Sequence, residues 1–259
     1  MLANHPSFSH YLNILRQTPL FSNLAGTTLA EMLASFQQQT WPKNSSMETG
    51  NSNGQFLYVI INGRVKMSRI NPDSGRELTI FLMSTGDVFD VICLLDEYEH
   101  DVSLTAIDEV ETLYAPMPEV RNWIDKHPEF NRAFLPYLGQ QIRSLEELAA
   151  DLSLHDTITR LSRLILRHTA YNNNHTPLTA AKPATGSLHI NPLQKLKLIN
   201  NLSHEELAHM IGSVRAVISR HMLKLQQDGI IKYKRKYLEI KEIHALLEKA
   251  KKTLSMRPK

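Results

Sequence analysis

Apolar positions recur along this chain with three different spacings, and each spacing predicts a different element. Between residues 7 and 38, Phe8, Tyr11, Leu12 and Leu15 fall three and four apart. Pro19-Leu20-Phe21 interrupts them, and Leu29, Met32, Leu33 and Phe36 resume, which predicts helices with one buried face. From Trp41 the spacing shortens. Phe56 to Ile61 is a continuous apolar run, Asn62-Gly63 follows as a hairpin turn, and Val65 and Met67 begin the returning strand. Asn71 to Gly75 and Gly86-Asp87 are further turns. Leu78, Ile80 and Leu82 alternate, as do Val102, Leu104 and Ala106, and then Val110, Thr112 and Tyr114. Many short strands so spaced predict a small antiparallel roll or barrel, closed by Pro116 and Pro118.

Helical spacing then returns, with a first piece at about 119–126 and a longer one from about 129 to 152. Leu138, Ile142, Leu145, Ala149 and Leu152 step by four, three, four and three. This a/d seam is narrower than the stripe of a helix lying on its own domain, and it predicts pairing with a second copy. Pro136 is expected to bend this helix or mark its first turn. A further helix from Thr157 to about Thr169 buries Ile158, Leu161, Leu164 and Ile165. Residues 171–187 are polar and turn-rich, and read as a mobile loop without chemistry.

Residues 203–225 read as two short helices joined by a turn. Ser203 before Glu205 and Glu206 is an N-cap with acidic residues in the first turn. Leu207, Met210 and Ile211 give one apolar face, and Gly212 stands where the chain must turn. In the second helix Val214, Ile218, Met222 and Leu225 are expected to be buried. Arg215, Ala216, Ser219 and Arg220 then form an outward patch, with Ser213 and Lys224 flanking it. A helix that offers arginine outward suits the major groove, because a guanidinium can bond O6 and N7 of guanine together. After Asp228-Gly229, residues 230–240 predict two strands around a basic tip at Lys234, Arg235 and Lys236. That is a wing suited to phosphate contact. Ile243, Leu246, Leu247 and Ala250 predict a last helix.

Charge divides along the same lines. Residues 201–259 carry 13 basic and 6 acidic groups, net +7, whereas residues 1–200 carry 16 and 20, net −4. With 259 residues, 42% of them hydrophobic, the chain can hold two ordinary domains. One cysteine, Cys93, excludes a disulfide framework and any cysteine-built zinc or iron–sulfur site within one chain. No apolar run approaches the ~18–20 residues that span a bilayer, so a cytoplasmic protein that does not enter membranes is expected. The fold class is α+β. A β-roll sensor domain with N-terminal helices is expected over 1–128, a dimerisation helix over 129–153, and a winged helix-turn-helix over 154–259.

In that order of parts the chain resembles the Crp/Fnr superfamily of transcription factors, whose founding member is a standard helix-turn-helix example. The resemblance runs from about Leu15 to Ile240 and is carried by Gly63-Arg-Val-Lys66, Gly75-Arg-Glu-Leu78, Gly86-Asp-Val-Phe89 and Gly212-Ser-Val-Arg-Ala-Val-Ile-Ser-Arg220. It implies a homodimer on a palindromic site in double-stranded DNA, with RNA polymerase as a further partner. It places Arg215 and Arg220 at the family's two arginines that contact bases or phosphates. Ala216 stands where a glutamate usually accepts from cytosine N4.

The sensor departs from the members that bind cyclic nucleotides. Those carry Phe-Gly-Glu-Leu followed by an Arg-Ser pair that holds the phosphate. Here Phe89 precedes Asp90-Val91-Ile92, and His100-Asp101 occupies the Arg-Ser place after an acidic run. A phosphate there meets carboxylates, so cyclic nucleotide binding in the usual mode is not expected. Phe89, Val91, Cys93, His100 and Asp101 are the candidate effector-pocket residues. Cys93 and His100 leave a haem variant open, but read better as a small core residue and a surface residue, and no cofactor is predicted. An enzyme is not expected: the sequence has no glycine-rich phosphate loop, no metal-ligand spacing among its 12 histidines, and no Gly-x-Ser-x-Gly elbow. The rival reading is a haem- or small-ligand-sensing regulator whose helix-turn-helix docks on protein rather than DNA.

Overall fold

A computed structural model describes residues 6–47, 54–98, 100–169, 198–234 and 237–251. The chain divides into two compact units whose boundary along the longest helix falls between Gln141 and Ile142. The first unit opens with helices α1 (Phe8–Leu15) and α2 (Gly26–Ser35). Seven strands follow: β1 (Gln37–Trp41), β2 (Phe56–Asn62), β3 (Arg64–Ile70), β4 (Glu77–Ser84), β5 (Val88–Phe89), β6 (Ser103–Ala106) and β7 (Val110–Pro116). Helix α3 (Val91–Asp96) lies between β5 and β6, and α4 (Met117–Lys126) and α5 (Pro128–Leu154) come after the strands.

Strands β1, β7, β2 and β5 form one sheet in that order, and β4, β3 and β6 form another. The continuous apolar run of β2 is explained by burial on both faces. Leu57, Val59 and Ile61 join a core with α1, α2, α4 and the start of α5, whereas Tyr58 and Ile60 join a second core with residues of both sheets.

Two expectations fail here for non-local reasons. Asn62-Gly63 makes a turn, but β2 and β3 belong to different sheets, so it is a crossing between sheets and not a hairpin. Gly63 has φ +88°, and a Cβ there would lie 2.4 Å from the Glu109 carbonyl oxygen, so no side chain fits the crossing. Arg64 then fixes it by donating to Asp108 from Nε at 2.6 Å and Nη2 at 2.9 Å. Residues 37–38, read as the end of a helix, begin β1 instead. This mostly polar edge strand pairs with β7 from Gln37↔Tyr114 to Trp41↔Val110.

The second unit takes in residues 77–79 at the start of β4 and the end of α5, then α6 (Thr157–Thr169), α7 (His204–Met210), α8 (Arg215–Gln227), β8 (Ile231–Lys234), β9 (Tyr237–Ile240) and α9 (Ile243–Lys251). Its core includes Leu161, Leu164, Ile165, Leu207, Ile211, Ile218, Met222, Leu225, Leu238 and Leu246. Strands β8 and β9 form an antiparallel hairpin from Ile231↔Ile240 to Lys234↔Tyr237. The turn residues Arg235 and Lys236 and the polar loop at 171–187 lie outside the described residues. Pro136 sits inside α5, well past its first turn. Among the described residues no helix is long and apolar enough to cross a membrane.

Candidate nucleic-acid interface

The interface is built outward from the turn between α7 and α8. Ser203 caps α7: its Oγ accepts from the Glu206 amide at 3.1 Å while the Glu206 carboxylate accepts from the Ser203 amide, a complete capping box. The helix ends in a Schellman turn, in which the Ser213 amide donates to the Ala208 carbonyl at 2.9 Å across Gly212 at φ +61°. Gly212 is required twice over. Besides its left-handed backbone, a Cβ there would lie 2.6 Å from Leu152 Cδ2 of α5.

Helix α8 is two-sided. Ile218, Met222 and Leu225 are buried, whereas Arg215, Ala216, Arg220, Leu223 and Lys224 are exposed. Val214 is 57% exposed and not buried as its place in the apolar series suggested. It is the N-cap of α8 with extended backbone (φ −122°, ψ 152°), so the helical spacing does not yet apply to it. No side chain caps this end of α8. Ser213 and Ser219 are half-buried, and the Ser219 hydroxyl is engaged by His204 Nδ1 at 2.8 Å. Lys234 is exposed at the end of β8.

Several supporting residues carry no sequence signal that would have found them. The His204 ring lies 5.3 Å from the Tyr233 ring, so one histidine touches α7, α8 and the wing. Burial, and then the charge of Arg215, pushes its pKa down. His221 Nε2 meets Thr157 Oγ1 at 2.7 Å and ties α8 to the start of α6. Arg160 on α6 donates to three carbonyls: His155 at 2.8 Å, Leu152 at 2.9 Å and Ile211 at 3.1 Å. Asp151, 4% exposed, accepts from Arg163 Nε at 2.5 Å and from Arg167 Nη2.

The predicted seam on α5 is not uniform. Ile142 is 58% exposed, and Leu145 and Ala149 are exposed too. Leu138 is half-buried against the helix-side core of the first unit, and Leu152 reaches the Gly212 turn.

The candidate pocket residues of the first unit do not converge. Phe89 is buried between the sheets, stacked on Tyr58 at 4.7 Å between centroids, with Tyr114 and Phe56 packed around them. Cys93 is buried in the other core, with Val91 against it, and burial pushes its thiol pKa up. His100 is half-buried, not a plain surface residue, and burial lowers its pKa. Asp101 is exposed and paired with Arg69 at 3.3 Å; the Arg69 Nε also donates to the Asp101 carbonyl at 2.9 Å. Asp90 stands out. It is 7% exposed with φ +64°, its Oδ2 has no hydrogen-bond partner among the described residues, and burial raises its pKa to about 6.

A two-sheet roll, a long helix and a winged helix-turn-helix with a basic outward face together define a Crp-type DNA-binding regulator. Residues 159–249 match the Crp-like helix-turn-helix domain, and residues 39–127 match the cyclic nucleotide-binding domain. The chain belongs to the Crp/Fnr superfamily of transcriptional regulators. It is 24% identical over 238 residues to the CRP-like cAMP-activated global transcriptional regulator of Mycobacterium tuberculosis, covering 92% of this chain and 99% of that one. It is 28% identical over 189 residues to the global nitrogen regulator of a Synechocystis species, covering 71% of this chain and 75% of that one. Among solved structures, a CooA mutant from Carboxydothermus hydrogenoformans shares the fold, with a TM-score of 0.66 at 21% identity, covering 85% of this chain and 90% of that one.

Proposed function

We propose that the protein works as a homodimer on a two-fold DNA site, with α8 in the major groove and the wing on the phosphates. The observation that carries this is the two-sidedness of α8, whose buried Ile218, Met222 and Leu225 leave Arg215, Ala216, Arg220 and Lys224 facing out. In this reading Arg215 and Arg220 contact bases or phosphates. Ser213, Lys224, Lys234, Arg235 and Lys236 contact the backbone, and Ser219, held by His204, positions the helix. The uncapped N-terminus of α8 also suits a phosphate oxygen. Two copies pair along Leu138, Ile142, Leu145, Ala149 and Leu152, with Ile142, Leu145 and Ala149 the outward members. The pairing sets the two reading helices about one DNA turn, ~34 Å, apart.

The sensor is proposed not to take a cyclic nucleotide in the usual mode. By the resemblance Asp101 takes the place of the phosphate-holding pair, Arg69 is bonded to Asp101, and the Tyr58 and Phe89 rings stack between the sheets. Cys93 is a packing residue rather than a haem ligand, and no cofactor is needed. The protein acts in the cytoplasm, and RNA polymerase is its further partner by family resemblance.

Site selection followed by anisotropy titrations across salt concentrations tests the reading. Affinity should fall steeply with salt, and Arg215→Ala and Arg220→Ala should change the preferred sequence or the affinity. Ile142→Glu should sediment as a monomer. Binding that ignores salt and both arginine substitutions would move the function to protein docking.

A further inference from the structure

Ala216 is exposed in the first turn of α8, the part of a reading helix that meets base edges. A methyl group carries no donor or acceptor, so it cannot read cytosine N4 as an acidic side chain would. The thymine 5-methyl group is the one base-edge feature in the major groove that an alanine recognises by contact. Two further apolar residues of this stretch are exposed, one beside Ala216 and one two turns along α8. Leu223, 56% exposed, lies seven residues on, along the same face as Ala216 and Arg220.

Val214 is the more telling of the two. Ser, Thr, Asp and Asn are the residues that stabilise an N-cap, and a β-branched apolar residue there forgoes the cap bond. Val214 makes no such bond and is 57% exposed, so neither helix stability nor burial accounts for it.

Building on the major-groove reading above, we propose that Ala216, with Val214 beside it, selects a T·A pair through the thymine methyl, next to the guanine read by an arginine of the same helix. Each half-site thus combines a guanidinium contact with an apolar one, and the preferred sequence differs from one read through a glutamate at this position.

The test compares wild type, Ala216→Glu and Ala216→Gly on selected DNA. The relevant pair is the one whose preference Ala216→Glu alters, and that variant should favour C·G there. In the wild-type site this pair should be T·A. Replacing its thymine by deoxyuridine removes only the methyl and should weaken wild type about fourfold per half-site, or about fifteenfold in both, by the usual worth of one buried methyl. Ala216→Gly should distinguish the two DNAs less than wild type does, the remainder being the Val214 contact. Selection of a defined site with no thymine at that pair, or equal wild-type binding of the thymine and uracil DNAs, overturns this inference and leaves DNA reading intact. If no sequence is selected at all, both fall.

Discussion

Asp90 in the first unit and Ala216 in the second each replace the residue that the family pattern expects, yet one is buried and the other faces out. At Ala216 the fold is indifferent, since alanine suits an exposed helix position, and what changes is the chemistry offered to a partner. At Asp90 the fold bears the change. The backbone there is left-handed, which favours the family's glycine, and a carboxyl group is buried without a bond to its Oδ2 among the described residues. A departure on a surface redirects recognition, whereas a departure in an interior alters stability and its dependence on pH.

Burial by itself is not the difference, and Asp151 provides the sharpest way to break the comparison. It is as buried as Asp90 but pairs with Arg163 and Arg167. Asp151→Ala should destabilise the second unit toward the lower end of about 3–5 kcal/mol, because both guanidiniums keep some access to water. Urea denaturation followed by circular dichroism measures it. A change under about 1 kcal/mol would mean that the pair is no better placed than a surface one.

The two units should also respond to acid with opposite sign. Burial raises Asp87 and Asp90 to about 6, so the folded first unit keeps protons that the unfolded chain releases near 4. That stabilisation is complete below about pH 4 and is lost as pH rises through about 6, by up to roughly 1.4 kcal/mol per pH unit for each group. Burial drives His168 in the second unit down to about 3, and lowers His204 and His221. Their stabilisation is present above about 6.5 and is lost as pH falls toward 3. Trp41 and Trp123, the chain's two tryptophans, both belong to the first unit. Burial also lowers the pKa of His100 in the first unit, which acts the other way. Two raised carboxyl groups outweigh one histidine, so urea midpoints from tryptophan fluorescence should rise from pH 6.5 to 4.5. The acid sensitivity of DNA binding should follow the second unit. Asp90→Asn should reduce the fluorescence trend to about half, leaving the Asp87 part.

The smallest effect concerns the left-handed backbone. Asp90→Gly relieves it and removes the buried carboxyl, and should stabilise the first unit at pH 7 by about 1–2 kcal/mol, read as a higher melting temperature. A lower melting temperature would show that the Asp90 side chain holds α3 in place.

The second unit was largely legible in the sequence because its determinants are local. Ser203 and Glu206 are three residues apart, Gly212 directly follows its helix, and Ile218, Met222 and Leu225 repeat at helical spacing. Val214 was misplaced because the periodicity was carried one residue beyond the helix start. The first unit hides more, since its choices depend on distant strands. Asn62-Gly63 announces a turn but cannot say which sheet receives β3, and Gln37 and Gln38 become a strand only because β7 lies beside them. Polar fasteners such as Arg160 and the His204–Ser219 bond have no periodicity at all.

Arg160 has a mechanical meaning. Its guanidinium gathers the Leu152 carbonyl from the last turn of α5, the His155 carbonyl just beyond it and the Ile211 carbonyl at the end of α7, so it works as a rivet through three pieces of backbone. A planar fork with three fixed bonds tolerates little rotation of one piece against the others. Torque applied to the tail of α5 therefore passes to Ile211 and reaches Gly212, three residues ahead of Arg215. The residues that would face DNA are geared to the long helix through this one guanidinium, with Leu152 packed behind the same turn.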